Sequence, residues 1–96
     1  MTIQLKKFGV TLTSRPNGKE SYNAFLPELR TASAEESIII DFDGVNTFTP
    51  SWADEFLTPL QKEFQNRLIL KNTSNLSVQA TVKLLEQINK MEFRRE

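Results

Sequence analysis

Residues 37–45 read Ser37-Ile38-Ile39-Ile40-Asp41-Phe42-Asp43-Gly44-Val45, and the fold hangs on them. Three consecutive isoleucines without a polar alternate predict a strand buried on both faces, as in a parallel sheet covered by helices. Asp41, Asp43 and Gly44 end that strand. A carboxylate at a strand's carboxyl end caps the following turn by accepting backbone N–H bonds. Asp43 is the first choice for that role, with Gly44 supplying a positive φ.

The pattern extends outward in both directions. Phe8, Val10 and Leu12 alternate cleanly and Ile3 and Leu5 more weakly, which predicts one long strand or two short ones meeting at Gly9. "SRPNGKES" (14–21) carries turn chemistry through Pro16 and Asn17-Gly18. Tyr22, Phe25, Leu26 and Leu29 then form a helical apolar stripe. Pro27 sits inside it, so the helix either kinks there or begins late, near Asn23.

After Val45, Thr49 or Ser51 can cap a second helix, with Pro50 suited to its first turn. Ser51-x-x-Asp54 resembles a capping box with Asp in place of Glu. Ala53, Phe56, Leu57, Leu60 and Phe64 are the expected buried stripe, with Pro59 inside it. Leu68-Ile69-Leu70 predicts a further interior strand, and "KNTSN" (71–75) supplies turn and cap residues. Val78, Val82, Leu85, Ile88 and Met91 space out one face of a C-terminal helix. The order β(β)-α-β-α-β-α predicts an α/β fold: a mainly parallel three- to four-stranded sheet with three helices and right-handed crossovers. No linker, repeat or low-complexity segment divides it, so a single domain over residues 1–96 is expected.

The chain has no Cys and no His. That excludes disulfides, thiolate chemistry, thiol zinc sites and every scheme that needs imidazole. Formal net charge is zero, so nothing steers the whole molecule toward nucleic acid. The charge is uneven, however. Residues 37–66 set one lysine against five carboxylates, a net of −4, and residues 67–96 set six Lys/Arg against three Glu, a net of +3. A solvated helix pair followed by a basic tail accounts for this, as does an acidic rim recognising a partner after Asp41. No apolar run reaches the ~20 residues of a membrane span, and the N-terminus lacks the zones of a signal peptide. A cytoplasmic protein without cofactor or bound metal is expected.

Asp41-Phe42-Asp43-Gly44-Val45 by itself resembles the nucleophile motif of the haloacid-dehalogenase phosphatases, in which a strand delivers an attacking aspartate. That family also needs a second-strand Ser/Thr, a Lys and a downstream acidic pair to hold Mg²⁺. Thr73 or Ser74 and Lys83 imitate the first two, but no strand-borne acidic pair follows in the 53 residues after Asp43. "SRPNGKES" fails the phosphate-loop pattern, since Thr13 stands where the first Gly belongs and Glu20 separates Lys19 from Ser21. Arg15 is either an idle surface residue or one that pairs with a carboxylate or phosphate.

Read together, "IIIDFDGVNTFTPSWADEFLTPL" resembles the STAS domain of anti-anti-sigma factors, and is most similar to a small STAS-like family of unknown function. Asp41, Phe42, Gly44 and Val45 match the family's strand end. Ser51, Ala53, Asp54 and Glu55 match its following loop, with Trp52 in place of Phe. "IQLKKFGVTLTSR" and "LILKNTS" look like the family's opening and close. The resemblance implies a non-catalytic interaction or regulatory module. Anti-anti-sigma domains carry a phosphorylatable serine at this helix start, which switches binding to a histidine-kinase-like ATPase. Aligned from Asp41, Gly44 and Val45, that serine falls on Pro50, so Ser51 is the implied phosphoacceptor and Thr49 its neighbour. The expected partner-binding surface is Asp43, Thr49, Ser51, Trp52, Asp54 and Glu55, with Arg15 as an anion or partner contact. Trp52 is either an exposed aromatic anchor or part of the core. The alternatives are a small ligand or nucleotide at the carboxyl ends of the strands and, last, a Mg²⁺-dependent phosphatase using Asp41. Partner identity and oligomeric state are not legible in the sequence.

Overall fold

In the computed structural model, which describes residues 1–96, the chain runs β1 (Thr2–Gln4), a 3₁₀ turn (Leu5–Phe8), β2 (Thr11–Leu12) and α1 (Arg15–Leu29). It continues through β3 (Ile38–Asp41), β4 (Thr47–Phe48), α2 (Pro50–Phe64), a second 3₁₀ turn (Gln65–Arg67), β5 (Leu68–Lys71), α3 (Leu76–Asn89) and β6 (Arg94–Arg95). The main sheet has four parallel strands in the order β1-β3-β5-β6, with Ile3, Ile40 and Leu70 side by side. β2 and β4 form a separate parallel pair. This is the α/β architecture expected of a STAS-like domain. No helix is long and apolar enough to cross a membrane.

Each successive strand of the main sheet is added at the same edge. Right-handed crossovers that always step one way leave their helices on one face. The core follows suit: Ile3, Ile38, Ile40, Leu68 and Leu70 from the sheet join one cluster with the buried residues of all three helices. Side chains alternate along a strand, so Ile39 points away from that cluster and stays partly exposed. This corrects the expectation of a strand covered by helices on both faces. A run of three isoleucines does not distinguish a doubly covered strand from a singly covered one with an apolar back.

Helix α1 begins eight residues before Asn23, at Arg15. Residues 14–21 are its first turns, not the free-standing turn the sequence suggested. Ser14 is the N-cap and its hydroxyl accepts from Asn17 N–H at 3.2 Å, with Pro16 in the first turn, where its missing N–H costs nothing. Gly18 is there for a tertiary reason: a Cβ on it would stand 2.4 Å from the carbonyl oxygen of Trp52, so α1 and α2 touch backbone to side-chain-free backbone. Phe25 and Leu29 are buried as the stripe predicts, and Pro27 is tolerated near the helix end.

At the other terminus the expected basic tail is structured. α3 stops at Asn89, Lys90 takes a left-handed conformation (φ 51°), and Phe93 drops back into the core at 3% exposure. β6 then pairs with β5, and the Arg95 guanidinium donates to both carboxylate oxygens of Glu86 on α3, at 3.1 and 3.0 Å.

Candidate functional site

The start of α2 is built by three elements that converge on it. Thr49 is its N-cap residue, and the Thr49 carbonyl accepts from Ala53 N–H at 3.0 Å. The Thr49 hydroxyl does not cap, however. It donates instead to the Thr13 carbonyl at 2.9 Å, lashing α2 to the end of β2. Pro50 follows, so the first amides of α2, those of Ser51 and Trp52, have no side-chain cap. The capping box suggested by Ser51-x-x-Asp54 does not form: Thr49 is the N-cap, so Ser51 already lies inside the helix, and Asp54 pairs with Arg15 and Thr58. Ser51 is exposed.

Asp54, Glu55 and Arg15 form one cluster. Arg15 Nη1 donates to Asp54 Oδ2 and to Glu55 Oε2, both at 3.1 Å, and Thr58 Oγ1 donates to Asp54 Oδ1 at 2.9 Å. The Asp54 hydrogen bond is the chief reason the guanidinium holds its proton more firmly than a free arginine, against a smaller cost of burial. Arg15 is thus a pairing residue and not an idle one: it braces the first turn of α1 against the second turn of α2. Beside this brace lies a polar groove of 460 Å³ where Lys19 and Lys62 share the walls with Asp54 and Glu55.

Trp52 is not an exposed anchor. It is 1% exposed, stacks on Phe56 with ring centroids 4.9 Å apart, and meets Phe48 at 5.7 Å and Phe8 at 6.2 Å. The reason is periodicity: Trp52 stands four residues before Phe56 and so shares its buried face. The stripe that begins at Ala53 in the sequence reading needed only one more residue at its start to include it.

The turn after β3 is held by Asp41 and not by Asp43. Asp41 Oδ1 accepts from Asp43 N–H at 2.9 Å and from Asn72 Nδ2 at 2.8 Å. Burial pushes the Asp41 pKa up, but the Asn72 amide, the Asp43 N–H and the nearby Lys71 and Lys6 together outweigh it, and the pKa lies below the ordinary value. Gly44 takes the positive φ expected of it, 84°. Asp43 is exposed, and its carboxylate faces Lys6 at 3.9 Å, away from the Arg15 cluster. No three His, Cys, Asp or Glu side chains stand together as a metal-holding group.

The segment from Val45 to Thr49 is clamped from both sides. Asn46 and Thr47 N–H donate to the Val10 carbonyl at 2.8 and 3.1 Å, and Thr49 N–H donates to Leu12 at 3.1 Å. From α3, Ser77 Oγ accepts from Phe48 N–H (3.1 Å), Thr81 Oγ1 donates to the Phe48 carbonyl (2.8 Å), and Asn75 Nδ2 donates to the Val45 and Asn46 carbonyls (3.3 and 3.1 Å). Asn72, Asn75, Ser77 and Thr81 were not foreseen as site-positioning residues. Asn72 and Asn75 leave a trace in the polar cluster "KNTSN", legible as turn and cap chemistry but silent on what it touches, and Ser77 and Thr81 leave none.

Of the expected surface, then, Thr49, Ser51, Asp54 and Glu55 lie together at the start of α2 with Arg15 added, Asp43 stands apart beside Lys6, and Trp52 lies beneath. The family described as "STAS-like domain of unknown function (DUF4325)" matches residues 17–78, a span from the first turns of α1 to the start of α3. No curated protein and no solved structure matches the chain.

Proposed function

Because the chain belongs to the family of STAS-like domains of unknown function, we propose that it acts without catalysis, as a protein-interaction module switched at Ser51. The observation that carries this reading is the exposed Ser51 hydroxyl in an uncapped helix start, one turn from the Arg15–Asp54–Glu55 brace. The partner implied by the resemblance to anti-anti-sigma domains is a histidine-kinase-like ATPase.

The physics of such a switch is local. A phosphate on Ser51 adds about 1.5–2 negative charges. The positive end of the helix dipole and the free first-turn amides favour it there. Asp54 and Glu55 repel it, and Arg15 is drawn between the three anions. A partner seated on the unmodified surface meets a new charge and a rearranged brace. The rigid clamp on residues 45–49 keeps the change confined to the side-chain layer.

The test uses a purified ATPase of that fold from the same genome. Incubation with ATP is expected to phosphorylate Ser51, read by mass spectrometry, and Ser51→Ala to abolish the signal. Ser51→Glu is expected to weaken binding by about tenfold, the scale of one charge placed badly at an interface. Binding that is indifferent to Ser51→Glu and to Asp54→Lys sinks this surface as the working one.

A second reading, a small polar ligand, is favoured by the groove in which Lys19 and Lys62 accompany Asp54 and Glu55. Calorimetric titration with ATP or inorganic phosphate that is lost in Lys19→Ala/Lys62→Ala would move the function there. Phosphate-ester hydrolysis that needs Mg²⁺ and vanishes in Asp41→Asn would overturn the non-catalytic reading altogether.

A further inference from the structure

The exposed large apolar side chains of this protein gather at α3. Leu76, Leu84 and Ile88 are 80%, 38% and 65% exposed. The remaining one, Val10 (46% exposed), is joined to the start of α3 through Asn46, whose N–H donates to the Val10 carbonyl and whose carbonyl accepts from Asn75. With exposed Ala80, the three α3 residues recur at every fourth position and form a single ridge along the helix. The core-facing stripe of the same helix is a different set, Val78, Thr81, Val82 and Leu85. α3 therefore has two apolar faces, and only one is covered.

The charges beside the open ridge have one sign. Lys83 is exposed and helix geometry places it about 20° from Leu76 around the axis, and Lys90 is exposed just past the helix end. The helix contains one acid, Glu86, and that side chain is occupied by Arg95 and by the N–H of Phe93 at 2.8 Å. The outer face of α3 is apolar and basic with no free carboxylate, in a chain whose net charge is zero.

We infer that the outer face of α3 docks an acidic amphipathic helix of a partner protein, with the Leu76–Ile88 ridge in that helix's groove and Lys83 and Lys90 against its Asp/Glu. Ridge geometry selects a helix, since residues four apart pack into the matching groove of another helix. Charge selects its sign. A second copy of this chain would set lysines against lysines, which disfavours self-pairing. A membrane surface calls for a richer basic face and for aromatic insertion, and this face has two lysines and no aromatic ring. The ridge shares no residue with the start of α2, although Asn89 beside it lines the same groove as Asp54 and Glu55, and substitutions at Leu84 and at Ser51 test this inference and the Ser51 switch separately.

The test is an amide-shift NMR titration of the whole chain with a synthetic helical peptide bearing Leu at every fourth position flanked by Glu, and with its Glu→Lys counterpart. The acidic peptide is expected to shift residues 76–90, and the basic one to bind at least about fivefold more weakly, the scale of two exposed ion pairs. Leu84→Asp and Ile88→Asp are expected to remove binding. Lys83→Glu/Lys90→Glu, which touches no packed residue, is expected to invert the preference between the peptides. Absence of shifts on α3 at millimolar peptide, or equal affinity for both peptides, overturns the inference. So does self-association that Leu84→Asp abolishes, seen by sedimentation, and so does binding to phosphatidylserine vesicles without binding to the peptide.

Discussion

At Asp41 two opposed effects act on one carboxyl group. Burial disfavours its charge, while hydrogen bonds from Asn72 and the Asp43 amide, with Lys71 and Lys6 nearby, favour it and prevail. A folded-state pKa held below the unfolded value contributes stability above the ordinary carboxylate pKa, and that stability is lost as pH falls through the folded value. Glu86, also lowered against its burial by Arg95 and the Phe93 amide, acts in the same direction. Asp41→Asn keeps an oxygen that accepts both bonds but gives up the charge. It is expected to cost about 1 kcal/mol at neutral pH. Urea unfolding at several pH values should also show a shallower fall in stability below about pH 4 than wild type, with the Glu86 share remaining. An unchanged slope would count against this account of Asp41. The sequence showed that a carboxylate ends this strand but not which of two aspartates turns inward. That choice rests on Asn72, a partner 31 residues away. The fate of Trp52 was legible from its spacing to Phe56. The role of Gly18 was not, because nothing local marks the close passage of a second backbone.

Helix α3 does double duty as an element, packing on the core and holding the segment before α2. Asn75 is central to both: its Oδ1 accepts from Ser77 N–H at 2.8 Å and Val78 N–H at 3.2 Å, and its Nδ2 reaches the Val45 and Asn46 carbonyls. Asn75→Ala removes the cap and the tether together. A loss of about 1–2 kcal/mol is expected, with faster hydrogen exchange at the Asn46, Thr47 and Phe48 amides and none of that gain in β3. Equal protection of those amides in the variant would show that β2 holds the segment alone. The elements that the sequence hid share a physical cause. β4 and β6 have two residues each, too few for any alternation to register. The start of α1 was masked because Ser14, Pro16 and Gly18 serve turns and helix starts alike.

For the molecule as a whole, strand–helix alternation was enough to expect a parallel α/β sheet, since the isoleucine and leucine runs carry that signal alone. One-sided coverage was not, because it depends on strand order, which no residue type records. Phe93 shows how far the last segment contributes: it is 3% exposed, belongs to the common core cluster, and positions β6 on β5. Phe93→Ala is expected to cost about 3 kcal/mol, read as a lower urea midpoint, with β5 left as an unprotected edge. A variant as stable as wild type would make β6 an accessory. The strand order β1-β3-β5-β6 also repeats the order of synthesis. No strand has to be threaded between two already paired, and each segment leaving the ribosome meets an edge laid down just before it. The sheet can grow outward during translation, one strand at a time, with its newest edge always the one still waiting for a neighbour.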